Sequence, residues 1–220
     1  MRLVLLGPPG GGKGTQAVRL AAAFGVPHIA TGDLFRAEMA HGTDLGKLAK
    51  TYISHGNLVP DQVVNDMVRA RLARPDCDGY VLDGFPRTLE QASVLESMLS
   101  AMERSLCVAV KIEVPDDAIV ERAVGREVCP NCNAVYHLTA QPPRTLGICD
   151  RCRGVLVVRE DDQPSTVRHR LSVYHRLTEP VIEFYRSRGL LECVNGIGTL
   201  DEVFGRICDV SRGRCGTLAE

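Results

Sequence analysis

Two constellations in the chain carry chemistry by residue type and spacing. The first is Gly7-Pro8-Pro9-Gly10-Gly11-Gly12-Lys13-Gly14-Thr15. Glycines in such a run let the backbone turn its N–H groups inward around a phosphate, and a lysine adds a mobile point charge. A strict phosphate loop places Ser or Thr directly after the Lys. Here Gly14 intervenes and the hydroxyl arrives at Thr15, which makes Thr15 a candidate metal or phosphate contact. The second constellation is Cys129-Pro130-Asn131-Cys132 with Cys149-Asp150-Arg151-Cys152. Two C-x-x-C knuckles at this separation suit a tetrahedral thiolate site. All four positions would be filled by sulfur, so the metal would be structural. Zinc is the expected ion, with Fe²⁺ or Co²⁺ acceptable to the same ligands.

Other residues gain meaning from where they sit. Thr31-Gly32-Asp33-Leu34-Phe35-Arg36 opens a helix, so Thr31 reads either as a cap or as a ligand contact. Asp83-Gly84-Phe85-Pro86-Arg87-Thr88 follows a buried strand, at the edge where open α/β sheets bind ligands. There Asp83 would hold Mg²⁺ through water, and Arg87 would grip a phosphate. Arg122 and Arg126 are four apart, a spacing that would put both on one helical face toward a cleft. Arg159 and Arg170 flank the acidic pair Asp161 and Asp162.

The elements that must position these groups alternate. Strands are expected at 2–6, 26–29, 80–82, 106–112 and 190–194. Helices are expected at 13–24, 31–41, 44–55, 61–73, 89–102, 115–124, 165–188 with a kink at Pro180, and 201–210. This alternation predicts an α/β fold, a five-stranded parallel sheet flanked by helices. Residues 126–163 break the pattern with Cys, Pro, Gly and Arg and read as an inserted metal-binding lid. The expected core is then 1–125 and 164–210, with 211–220 as a loose tail.

Composition narrows the classes. The chain has 220 residues, 45% apolar and 24% charged, which supports a packed core. A formal net charge of −1 gives no general pull toward nucleic acid or an anionic membrane. No apolar run is long enough to span a bilayer, and Met1–Leu6 enters the glycine loop too soon for a signal peptide. A cytoplasmic location follows as the expectation, with no membrane, nucleic-acid or obligatory protein partner. Nine Cys then point to metal or buried thiols rather than disulfides. The five outside the knuckles read as small buried hydrophobes, with Cys215 a candidate for exposure.

The stretches GPPGGGKGTQ, TGDLFR, GNLVPD, DGFPRT and DDQPSTVRHR occur in the order and spacing of adenylate kinases, and the chain resembles the bacterial long-lid type to about residue 205. The resemblance implies a P-loop nucleoside monophosphate kinase fold and the reaction MgATP + AMP ⇌ 2 ADP. It implies that ATP is held by Gly10, Gly11, Gly12, Lys13, Gly14, Thr15 and Arg122. It places AMP on Thr31, Arg36, Gly84, Arg87 and Gln91, with Leu58 and Val59 lining the adenine pocket within a mobile segment, 31–60. Arg159 and Arg170 would reach both nucleotides, and with Lys13, Arg87, Arg122 and Arg126 would surround the group in transfer. It also implies a cis bond at Phe85-Pro86. Kinases of pyrimidine monophosphates resemble the family but usually carry Ala in place of Thr31. A different class stays open: a nucleotide-switched binding module whose zinc ribbon meets a protein or RNA. Binding of ATP without ADP formation would favour it.

Overall fold

The computed structural model describes residues 1–139 and 141–215. At its centre lie β1 (Arg2–Leu6), β2 (His28–Ala30), β3 (Tyr80–Asp83), β4 (Val108–Glu113) and β7 (Leu191–Asn195), all parallel, in the order β2-β3-β1-β4-β7. The strands are short apolar runs because helices cover both faces and either side of the pleat must be apolar. In β1, Leu3 and Leu5 join one core, beneath α1 (Lys13–Phe24), α6 (Asp116–Val124), α7 (Pro164–Val173) and α9 (Leu200–Cys215). Val4 and Leu6 alternate into the other, beneath α4 (Asp61–Leu72), α5 (Leu89–Ala101) and α8 (Glu179–Ser187). The helices α2 (Thr31–His41) and α3 (Asp44–Ile53) join this second core through Phe35 and Ala49.

After β1 the chain runs to β2 at the edge of the sheet, returns to β3 beside β1, then crosses to β4 on the other side. The strand order therefore reverses at β1, and the glycine loop leaves its carboxyl end at that crevice.

Three expectations change. The helix expected over 165–188 is two helices, α7 and α8, joined by a widened turn, Tyr174–Thr178, in which the Glu179 N–H donates to the Tyr174 carbonyl. Pro180 has no N–H to continue an α-helical ladder, and the wider turn precedes it. The last helix runs on to Cys215, so 211–215 belong to it rather than to a tail; residues 216–220 lie outside the described residues. Among the remaining cysteines, Cys77 and Cys208 are buried, Cys107 and Cys215 are half-buried, and Cys193 is exposed. Cys193 lies on β7, the last strand of the sheet, where alternate side chains meet solvent.

Candidate phosphoryl-transfer cleft and metal knuckles

Gly12 precedes α1 in the left-handed region, at φ 87, where a side chain would strain the backbone. No side chain caps the first turn of α1. The helix thus meets the cleft with open amides and the positive end of its dipole. Lys13 Nζ donates to the carbonyls of Gly7 and Pro8, both at 2.8 Å, which holds the ammonium over the loop.

Around this loop lies a cleft of about 730 Å³, lined by the glycine loop, the starts of α2 and α5, and residues of 126–163. Lys13, Arg36, Arg87, Arg126, Arg159 and Arg170 all border it. Burial lowers Lys13 to about 8; Asp83 opposes the shift, and Arg87, Arg170 and Arg126 add to it. Burial, then Arg170, bring Arg87 down to about 10. Arg159 falls to about 10 through burial and the nearness of Arg36 and Arg126. Buried nitrogens Nε of Arg36 and Nε of Arg159 have no hydrogen-bond partner. Cations gathered from distant segments, depressing one another and with unmet donors, make a preorganised anion site.

Carboxylates set the arginines in place. Arg126 clamps Asp162, whose side chain is 0% exposed, with Nε to Oδ2 at 2.7 Å and a second bond to Oδ1. Arg170 Nη1 donates to Asp161 Oδ2 at 2.6 Å and to its carbonyl at 3.1 Å. At the mouth of the loop, burial works against the charge of Asp83, yet His28 and Lys13 keep it below the usual carboxylate range. A Cβ at Gly14 would stand 3.3 Å from Asp83 Oδ2, so the extra glycine after Lys13 gives that carboxylate room. Thr15 lines the same cleft. A carboxylate and a hydroxyl here fit the water shell of Mg²⁺.

Arg122 departs from expectation. It is not among the described residues lining the cleft, and its Nη2 donates to the Gly196 carbonyl at 3.1 Å. The helical spacing that would align it with Arg126 fails because α6 ends at Val124 and Arg126 already belongs to β5 (Arg126–Val128). Beyond the turn at Gly125 the helix period no longer sets direction.

On the acceptor side, Gly84 sits at φ 78, and a Cβ there would lie 2.9 Å from Thr31 Oγ1 and 3.0 Å from Arg87 Nη2. Only glycine lets these two residues meet; Thr31 Oγ1 and Arg87 Nε both donate to its carbonyl, at 2.8 and 2.9 Å. The Phe85-Pro86 bond is cis. Leu58, Val59, Phe35 and Val64 give the adjoining wall an apolar face, and Gln91 lines it too.

The metal knuckles repeat one another. Asn133 N–H donates to Cys129 O and Arg153 N–H to Cys149 O, each at 2.9 Å, and Asn133 and Arg153 both have positive φ. The two turns bring the four sulfurs within 4.8 Å of one another, with pairs at 3.3 and 3.5 Å. Four sulfurs around zinc at about 2.3 Å would be roughly 3.8 Å apart, so little adjustment is needed. Burial pushes the Cys149 thiol up, but the N–H groups of Cys152 and Arg151 and the Tyr136 hydroxyl bring it down to about 6. The knuckles hang on β5 and β6 (Val135–His137), an antiparallel pair with Glu127 opposite Tyr136. A backbone bridge from Val128 to Val157 closes the base.

A family model of adenylate kinase matches residues 5–190. The chain belongs to the adenylate kinase family. It is 54% identical over 213 residues to an adenylate kinase of Symbiobacterium thermophilum, covering 96% of this chain and 99% of that one. Adenylate kinases of Lachnospira eligens and Streptomyces avermitilis are 48% and 49% identical over 211 residues each. They cover 96% and 95% of this chain, and 99% and 96% of their own lengths.

Sequence reasoning missed three supports of this family site. Asp61, at the start of α4, accepts from Thr88 and Gln91. Thr178, in the widened turn, donates to the Arg87 carbonyl at 2.9 Å. His28 Nε2 lies 3.7 Å from Asp83. Asp61 looks in sequence like an ordinary first-turn acid, and the other two contacts span more than fifty residues of chain, so no local signal marks them.

Proposed function

We propose that Lys13, Arg87, Arg126, Arg159 and Arg170 hold one chain of phosphates between two nucleotides and neutralise it while a phosphoryl group moves. The chain is an ATP:AMP phosphotransferase that reversibly transfers the γ-phosphoryl group of MgATP to AMP, giving two ADP. The observation that carries the residue assignment is that Lys13, Arg87, Arg159 and Arg170 are depressed by burial and by neighbouring positive charge around a shared cleft, which Arg126 borders while paired with Asp162.

Gly10 to Thr15 would wrap the donor phosphates with backbone N–H groups, and Lys13 would contact the β and γ phosphates. Arg36 and Arg87 would take the acceptor phosphate, with Gly84 permitting their approach to Thr31. Leu58 and Val59 would cover the adenine, and Gln91 would read its edge. Thr31 uses its proton on Gly84 and keeps lone pairs for the base. Asp83 and Thr15 would hold the water shell of Mg²⁺, which supplies charge neutralisation when bound. Arg126, Arg159 and Arg170 would close on the moving group, set by Asp161 and Asp162. Arg122 is assigned instead to steadying the Gly196 loop. No nucleophilic side chain is needed, because the acceptor is already an ionised phosphate. Direct in-line transfer follows, under a lid of residues 126–163 that excludes water as a competing acceptor.

We assign structural zinc to Cys129, Cys132, Cys149 and Cys152, and a cytoplasmic, monomeric protein without nucleic-acid or membrane partners. Among the described residues no helix is long and apolar enough to cross a membrane. A coupled assay of ADP formation across AMP, UMP, CMP and GMP, with metal analysis of the same sample, tests the reading. AMP should be strongly preferred with one zinc per chain; preference for another acceptor would overturn the adenine assignment.

A further inference from the structure

Gln91 is 2% exposed, yet its side-chain amide borders the cleft beside the apolar wall. Its Oε1 accepts the Arg87 backbone N–H at 2.7 Å, and its Nε2 donates to Asp61 Oδ1 at 2.7 Å. Asp61 Oδ2 accepts from Thr88 Oγ1 at 2.6 Å, and Thr88 Oγ1 accepts the Gln91 N–H at 3.1 Å. The four groups form a closed ring joining the start of α4 to the start of α5.

This ring decides which way the amide faces. Turned over, it would set an NH₂ group against the Arg87 N–H and a carbonyl oxygen against the Asp61 carboxylate. Both contacts would be repulsive in a site with little water to relieve them. A primary amide has two N–H donors and two acceptor lone pairs. Arg87 and Asp61 occupy one of each, which leaves one N–H and one lone pair at fixed places for a ligand.

That leftover pattern distinguishes purines at position 6. A 6-aminopurine offers its N1 lone pair beside an amino donor, the complement of a carboxamide held in one orientation. A 6-oxopurine reverses both, with a donor at N1 and an acceptor at O6, and would need the amide turned over. We infer that Asp61 is a specificity-determining positioning residue, which acts through Gln91 to keep the acceptor site closed to 6-oxopurine monophosphates. The inference rests on the acceptor-pocket reading above. Asp61 touches no substrate itself.

The test compares kcat/KM for AMP and IMP, at saturating MgATP, in Asp61→Ser, Asp61→Asn and Gln91→Leu. Serine still suits the start of a helix, but its hydroxyl stops a bond length short of Gln91. Losing one such bond should lower the AMP-to-IMP ratio by about tenfold, mainly through KM for the acceptor, with KM for ATP unchanged. Asp61→Asn keeps an oxygen for Gln91 Nε2 and should restore most of the ratio. Thermal melts establish that each variant is folded. Should Asp61→Ser unfold, the same comparison with Asp61→Ala carries the test. An unchanged ratio in a folded Ser or Ala variant, while Gln91→Leu loses selectivity, would overturn the role of Asp61 and leave the pocket reading standing. An unchanged ratio in all of them would overturn both.

Discussion

At Lys13 the ammonium holds two backbone carbonyls and faces Asp83, but burial, joined by three nearby arginines, lowers its pKa to about 8. Near pH 8 a sizeable part of the empty protein therefore has a neutral Lys13. Nucleotide phosphates would raise that pKa again, so binding should take up protons. Calorimetry of ATP binding at pH 8, in buffers of different ionisation heats, should show uptake that fades toward pH 6.5; no uptake at pH 8 would contradict the electrostatic picture. The same shift bears on stability. An unfolded Lys titrates near 10.4, so between pH 8 and about 10.4 the unfolded chain binds more protons. The Lys13 contribution to stability of the nucleotide-free protein should then rise with pH across that window. Lys13→Ala should abolish transfer yet leave the melting temperature within about 3 °C, because the lost group is poorly satisfied when the cleft is empty. The arginines separate by geometry. Arg126→Ala should lower kcat by roughly 10³ or more, whereas Arg122→Ala should cost far less, because Arg122 stands on the Gly196 loop. Near-equal losses would reverse that assignment. Sequence spacing could not tell these two arginines apart, because the end of α6 falls between them.

Among the described residues of 126–162, Cys129, Ala134, Tyr136, Cys149 and Leu156 form a small apolar cluster. Two of those five are knuckle residues, so the metal and this core are one structure. Several apolar side chains of the segment, Leu146 and Val155 among them, remain exposed. Packing alone is therefore a poor support, and structural zinc in such units contributes on the order of 10 kcal/mol. Chelation, or Cys129→Ser, should open amides 126–158 to hydrogen exchange while those of β1, β3 and β4 stay protected. Equal loss of protection in sheet and knuckles would argue against a local role for the metal. The paired C-x-x-C spacing was legible because each knuckle is a local turn, closed by hydrogen bonds four residues apart. The break after α7 was legible only in part. Pro180 marked the trouble, but a five-residue wide turn that aims Thr178 at Arg87 depends on what the loop before α5 presents to it.

Across the molecule the two proposed nucleotide sites draw largely on different segments. The acceptor contacts proposed above come from α2, the chain at 58–59, the loop at 84–87 and the start of α5, and these segments pack on the second core. Among the described residues, the knuckles and their strands bring Cys132, Asn133, Ala134, Val135 and Arg151 to the cleft. Joining Val128 to Val157 by a short turn, across their existing backbone bridge, should therefore keep AMP affinity within roughly tenfold while transfer falls severely, since closure and water exclusion are lost. Loss of AMP binding on the same scale as loss of transfer would show that the sites are not independent. The alternation of short apolar strands with amphipathic helices determined the parallel sheet, and the glycine loop, DGFPRT and the cysteine pairs determined which chemistry it serves. These signals are local, since backbone freedom, capping and ligand spacing all act within a few residues. Which cations share one cleft, which way the Gln91 amide faces, and that Asp61 holds it there were decided by tertiary structure. Each depends on contacts between segments thirty or more residues apart, such as Asp61 with Gln91 and Lys13 with Arg170, and a linear pattern has no term for the direction in which a side chain arrives.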